Sequence, residues 1–279
     1  MDQEERRRAL YETSQYVAAG WERQRPLIDE ATTPVREWMV RELAPRPGER
    51  ILELASGPGE TGFDAAVLVG ETGRLVSTDF APAMSDVARR RGAERGLTNV
   101  EYRVMDAERI DLPDDAFDGV LCRFGYMLMA DPASALAQTR RVLRPGGRLA
   151  LAVWADPERN PWLTIGSRML VERGLVPPPD PDAPSPFAMA DAGRTRSLLE
   201  GAGFADVRIE EVAVWMRYRD VEHYLTVAQD TAFPVAKALR GLSEAERAGL
   251  ADALAEAFEP FAGDGGYALP GVAVAAVAS

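Results

Sequence analysis

The sequence predicts an α/β fold built on a doubly wound, mostly parallel sheet, and two observations carry that reading. Between residues 50 and 154, short apolar runs are separated by stretches of helical spacing, the pattern of successive βαβ units. The first run, Arg50 to Leu54, breaks into Gly57-Pro58-Gly59-Glu60-Thr61-Gly62, and apolar residues resume at Phe63, Ala66 and Val67. A strand, a tight turn and a helix start leave backbone N–H groups free to hold a ligand.

The chain opens on a polar amphipathic helix over 2–19. After Gly20-Trp21 a second helix is expected, with Thr33 as N-cap, Pro34 at its first position and an end near Leu43. Pro45-Arg46-Pro47-Gly48 reads as the turn between an N-terminal helical lid (1–44) and the core (45–279). Strands are expected at 50–54, 74–78, 100–104, 118–122 and 148–154, with helices at 60–69, 82–95 and after the cap Asp131-Pro132. Arg144-Pro145-Gly146-Gly147 reads as a turn before the last of these strands. Residues 155–190 hold Pro177-Pro178-Pro179, Pro181, Pro184 and Pro186, which predicts an irregular insertion. A helix near 191–201 and a strand at 206–218 follow. Helices fill 221–261, one opened by the capping box Ser243-x-x-Glu246, and a last strand, 267–277, is expected to break at Pro270-Gly271. The insertions 155–190 and 221–261 are expected to form a substrate cap.

Composition narrows the function. The net charge is −12, and Lys237 is the single lysine among 32 basic residues, a poor balance for gripping a nucleic-acid backbone. One cysteine, Cys122, excludes an intrachain disulfide framework and a cysteine-built zinc site. The first ten residues lack an apolar signal core, and the run from Val272 to Ala278 is too short to span a bilayer. A cytoplasmic protein is expected, monomeric or homodimeric, acting on a small molecule without nucleic acid, membrane or metal.

A glycine loop followed by an acid at the next strand end, here Asp79, suits either a nicotinamide dinucleotide or S-adenosylmethionine, since both carry ribose hydroxyls. Three features separate them. Glu53 precedes the loop and would repel a pyrophosphate but attract a methionine ammonium. Pro58 removes an N–H from the phosphate cradle. Asp106, after the third strand, offers an acceptor to an adenine amine. With these residues the chain resembles the class I S-adenosylmethionine-dependent methyltransferases, above all the small-molecule group of the ubiquinone/menaquinone C-methyltransferases. The likeness rests on Leu52-Glu53-Leu54-Ala55-Ser56-Gly57-Pro58-Gly59, Asp79-Phe80-Ala81-Pro82-Ala83-Met84, Asp106-Ala107 and Leu143-Arg144-Pro145-Gly146-Gly147, and covers roughly 45–155. Ala55 departs from it, standing where the family has its first loop glycine.

The resemblance implies a Rossmann-like, seven-stranded sheet with its last strand antiparallel, N-terminal helices and a helical lid. It implies that Glu53, Ala55, Ser56 and Gly57 surround the methionine moiety, with Gly59 letting the backbone approach. Asp79 would bind the ribose, Phe80 and Met84 flank the adenine, and Asp106 and Ala107 take its edge. Arg123 would line the sulfonium side, and Tyr16 and Trp21 would be lid contacts. Methyl transfer is an in-line displacement that a dry, shaped pocket accelerates without a conspicuous catalytic group. His223, the only histidine, is the one candidate base. Phe124, Tyr126, Trp162 and Tyr224 are candidate acceptor contacts and favour an apolar or aromatic metabolite. A non-methylating cyclase on the same fold, a nicotinamide oxidoreductase and a non-enzymatic binding module are the competing readings.

Overall fold

The computed structural model describes residues 3–180 and 183–279; Pro181 of the proline-rich insertion lies outside them. The strands are β1 (Arg50–Glu53), β2 (Arg74–Asp79), β3 (Val100–Val104), β4 (Phe117–Arg123), β5 (Leu143–Trp154), β6 (Arg208–Tyr218), β7 (Ala262–Gly263) and β8 (Gly266–Ala278). Seven of them form one sheet in the order β3-β2-β1-β4-β5-β8-β6, and the two-residue β7 pairs with β8. β1 to β5 are parallel, whereas β8 runs antiparallel to both β5 and β6. From β1 the chain winds outward to β3 and then returns to β4 on the other side of β1. This order reverses at β1 and β4, which opens a crevice above their C-terminal ends.

The central strands are apolar almost throughout because helices cover both faces; Leu149 to Val153 are fully buried. Residues 144–147 bulge out of β5, since Phe117 pairs with Leu143 but Gly119 pairs with Arg148. The expected Arg-Pro-Gly-Gly turn is this bulge, inside the strand rather than before it.

The N-terminus corrects the expectation of two helices. A single helix, α1 (Gln3–Leu43), runs through Gly20, Pro26 and Pro34. Both prolines face solvent. A proline in a helix interior costs about 3 kcal/mol in lost hydrogen bonding and ring clash, and burial of Val35, Trp38, Met39 and Leu43 against the sheet offsets it. Thr33 caps nothing: its hydroxyl donates to the Asp29 carbonyl one turn back, at 2.7 Å.

Helices α2 (Glu60–Val69), α3 (Pro82–Glu94) and α4 (Pro132–Val142) complete the βαβ units. The 155–190 insertion is more regular than its prolines suggest. Pro161 opens α5 (Pro161–Glu172) at a position where its missing N–H costs nothing, and the irregular prolines come after that helix. Beyond α6 (Ala192–Gly201) and β6, the chain forms α7 (Val221–Thr231), α8 (Phe233–Arg240) and α9 (Glu244–Phe258). With α5 and part of α1 these make a second apolar cluster, built on Leu170, Tyr218, Tyr224, Leu225, Leu254 and Phe258. The β6–β8 ladder carries this cap. β5 ends its pairing at Ala273, whereas β6 follows β8 to Tyr267. Pro270 therefore sits where β8 has one neighbour, and the strand runs through it unbroken. No helix of the described residues is long and apolar enough to cross a membrane.

Candidate active site

The glycine loop lies over the β1 end of the crevice. Ser56 N–H donates to the Thr78 carbonyl, Gly59 N–H to the Ser56 carbonyl and Gly57 N–H to Asp79 Oδ2 at 2.8 Å. Ala55, Gly57 and Gly59 have φ of 50°, 50° and 93°. A side chain at Gly59 would run into the Phe63 ring, so that glycine serves internal packing. A Cβ at Gly57 would meet nothing within 4 Å; this is the open face of the loop.

Glu53 is buried and its carboxylate turns into the protein, accepting from Gly62 N–H at 2.7 Å and from Ser77 Oγ at 3.2 Å. Burial pushes its pKa up to about 8, against the opposing pull of those two hydrogen bonds and of Arg123. Asp79 accepts from Gly57 and, on Oδ1, from Ala81 N–H at 2.8 Å, which leaves each oxygen a lone pair for a ribose hydroxyl. Its pKa too is raised by burial. Phe80 packs edge-on against Tyr11 at 5.3 Å, and Met84 is buried with Ala18, Ala81 and, partly, Trp21. Thus α1 covers the β2–α3 corner that holds Phe80 and Met84. After β3, Asp106 Oδ1 accepts from Glu108 N–H at 2.8 Å, and Ala107 is buried beside it.

Arg123 ends β4, next to β1 in the sheet. Its Nη1 donates to Thr32 Oγ1 of α1 at 2.5 Å, and that hydroxyl donates in turn to the Ile28 carbonyl. Burial lowers its pKa, while the charges of Asp29, Glu53 and Glu60 hold it up. Phe124 has a φ of 60°, strained for an aromatic residue, and stacks on Trp154 at 4.0 Å and 11°. Trp154 meets Trp162 edge-on at 5.1 Å, and Trp162 lines a cap cavity of about 70 Å³ with Leu163, Tyr218, Tyr224 and Leu254.

The structure brings Ala55, Ser56, Gly57, Gly59, Asp79, Asp106, Ala107 and Arg123 to this one edge, with Phe80 and Met84 beneath α1, which itself contributes Trp21. Other candidates lie elsewhere. The His223 imidazole accepts from Arg219 N–H and packs on Tyr218 at the far end of β6, beyond the edge where β5 stops. Tyr126 is fully buried with its hydroxyl on Thr139 Oγ1 at 2.6 Å, which fixes it in the core under α4. Tyr16 is half-exposed beneath Arg240 of α8. Tyr224 sits in the cap core, its pKa pushed up to about 12 by burial. Trp154, Asp29 and Thr32 escaped the sequence reading. An aromatic residue at the C-terminal end of a central strand is a readable signal; the two α1 residues carry none.

The model of the ubiE/COQ5 methyltransferase family matches residues 33–163. The ubiquinone/menaquinone biosynthesis C-methyltransferase UbiE of Teredinibacter turnerae is 32% identical over 173 residues, 58% of this chain and 70% of that protein. The chain belongs to the ubiE/COQ5 methyltransferase family. The demethylmenaquinone methyltransferase of Deinococcus radiodurans is 41% identical over a shorter stretch, 30% of this chain and 34% of that enzyme. The YcgJ protein of Bacillus subtilis shares the fold at a TM-score of 0.61 and 19% identity, over 87% of this chain and 96% of that one. The family's cofactor is S-adenosylmethionine, and the residues present fit it: the loop is open at Gly57, Asp79 and Asp106 would offer acceptors to the ribose and the adenine amine, and Met84 would supply apolar contact. When bound, it would supply an activated methyl group, which these residues would hold in one orientation.

Proposed function

We propose that the chain transfers a methyl group from S-adenosylmethionine to a small planar, oxygenated ring compound. The observation that carries this reading is the stacked pair Phe124–Trp154 at the C-terminal ends of β4 and β5, with Trp162 leading from it into the apolar cap cavity. An aromatic shelf holds a flat acceptor in one orientation, and orientation is the main thing an in-line displacement requires. The strain stored at Phe124 supports the reading, because backbone held at a positive φ marks a place where the fold over-determines a functional side chain. The names of the two relatives point the same way, one a demethylmenaquinone methyltransferase and the other a C-methyltransferase of ubiquinone/menaquinone biosynthesis. His223 stands apart from this shelf, and the proposal gives it no part in the transfer.

The test is formation of S-adenosylhomocysteine by the full chain, with isotopically labelled cofactor and a panel of quinols, phenolic polycycles, aliphatic amines and carboxylic acids. Label should pass to a ring compound, and Trp154→Ala should reduce turnover at least about tenfold while cofactor binding persists. Transfer to aliphatic acceptors alone would overturn the assignment. Conversion of a ring compound without S-adenosylhomocysteine would select a non-methylating reaction on this fold instead.

A further inference from the structure

Four of the six buried side-chain polar atoms that lack a hydrogen-bond partner among the described residues lie on α1: Glu22 Oε2, Arg25 Nε, Asp29 Oδ1 and Arg36 Nε. Their spacing puts them on one stripe of the helix. That stripe faces α2, as the ion pairs Arg25–Glu60 at 3.7 Å and Arg36–Asp64 at 2.9 Å show. The four atoms pair as ions, Arg25 Nε with Glu22 Oε2 at 3.8 Å and Arg36 Nε with Asp29 Oδ1 at 3.6 Å, distances too long for hydrogen bonds. Buried polar atoms are almost always hydrogen-bonded, so this face keeps bonding capacity that its own charges do not use.

Two groups on this side of the crevice are short of partners in a complementary way. Arg123 uses one of its five N–H donors, on Thr32, and makes no ion pair among the described residues. Asp29 lies one helical turn before Thr32. Its Oδ1 is buried without a hydrogen bond, and the nearest cation, Arg36 Nε, stands at 3.6 Å, too far for one. Glu53, expected to face an ammonium, is buried with its carboxyl turned into the protein towards Gly62 and Ser77.

We propose that Arg123 and Asp29 form a zwitterion clamp for the amino-acid end of the cofactor, Arg123 holding its carboxylate and Asp29 its ammonium. The clamp rests on the cofactor assignment and adds to it a pair of residues from different elements, one at a strand end and one on the covering helix. A planar guanidinium matches a carboxylate with two parallel hydrogen bonds, and four of its donors are still available. The clamp also makes α1 part of the binding site, because Asp29 reaches the ligand only while that helix is docked.

Calorimetry on the full chain separates the ends of the ligand. S-Adenosylhomocysteine carries the zwitterion, whereas 5′-methylthioadenosine carries the same adenosine thioether without it. Arg123→Met and Asp29→Asn should each weaken S-adenosylhomocysteine about 10- to 100-fold and leave 5′-methylthioadenosine unchanged. The second probe doubles as the control for folding, and Asp29→Asn, on a partly exposed helix, carries the test if Arg123→Met does not fold. Wild-type affinity for S-adenosylhomocysteine in both variants, or an equal loss of both probes, overturns the clamp. If the unaltered chain binds neither probe, the cofactor assignment falls and the clamp with it.

Discussion

Ala55 occupies a left-handed backbone conformation, φ 50°, at the position where the family has a glycine. An alanine pays roughly 1–2 kcal/mol there, part of which glycine would return as extra freedom in the unfolded chain. Ala55→Gly is therefore expected to stabilise the protein by about 0.5–1 kcal/mol in urea unfolding, and a loss of stability would show that the methyl group has a packing role that outweighs the strain. Glu53 gives a pH signature. Its pKa rises from 4.5 to about 8 on folding, so below 4.5 it is protonated in both states and costs nothing. As pH climbs from 4.5 towards 8 the unfolded chain ionises first, and stability drains away by up to about 1.4 kcal/mol per pH unit. Glu53→Gln should flatten that decline when urea unfolding is compared at about pH 5 and about pH 8; an unchanged slope would mean that Glu53 is ionised in the folded protein. Both residues were visible in the sequence, Glu53 at the strand end and Ala55 at the start of the loop, but their state was not. A backbone dihedral and the direction of a carboxylate depend on neighbours, Gly125 and Gly62, that periodicity does not reveal.

Among the elements, α1 is where pattern reading and structure part. Gly20, Pro26 and Pro34 are local breakers, and the energy that overrides them comes from contacts with distant strands and with the cap. Gly20 lies against the Asp230 backbone of α7, where any Cβ would collide with main-chain atoms that cannot move aside. Gly20→Ala should push α1 away from the cap, lowering both thermal stability and S-adenosylhomocysteine affinity; unchanged affinity would uncouple the helix from the site. Glu60 fastens the same helix to the loop. Its carboxylate, 2% exposed, binds Arg91 through both guanidinium nitrogens and faces Arg25 and Arg95 within 3.7 Å. Glu60→Ala strands the buried Arg91 and is expected to cost about 3–5 kcal/mol. A loss below about 1 kcal/mol would mean that solvent reaches Arg91 once the carboxylate is gone. The strands, by contrast, were legible almost residue by residue, because a parallel sheet buried on both faces has to be written as uninterrupted apolar runs. What those runs left unread was the pairing: the bulge at 144–147 and the unbroken β8 depend on which neighbour a strand has at each point.

The molecule as a whole has two apolar cores, one along the sheet and one inside the cap, and Trp162 packs against both. Leu254 of α9 is fully buried in the second. Leu254→Ala should cost about 2–5 kcal/mol, and hydrogen exchange should speed up in α7 and α9 while amides of β1, β4 and β5 keep their protection. Uniform loss across the sheet would show a single cooperative unit. The candidate cofactor edge could be named from the sequence because the fold fixes where strands end: Asp79, Asp106 and Arg123 are strand-end positions or next to them, whereas Glu53, also at a strand end, turns its carboxyl into the protein. The acceptor side was not, since no short-range rule ties Phe124 to Trp154 across a parallel pair of strands.

The β6–β8 ladder has one more consequence. The chain leaves the sheet after Tyr218 and returns to it at Ala262, and Tyr218 is paired with Tyr267 of β8. The two ends of the cap insertion are thus held side by side by the sheet itself, as in a hairpin whose loop has been replaced by three helices. Closing a loop between points already in contact costs an entropy that grows only with the logarithm of its length. That junction is a natural graft point, where caps of other sizes and shapes can be exchanged to change the acceptor while the glycine loop and its strands remain as they are.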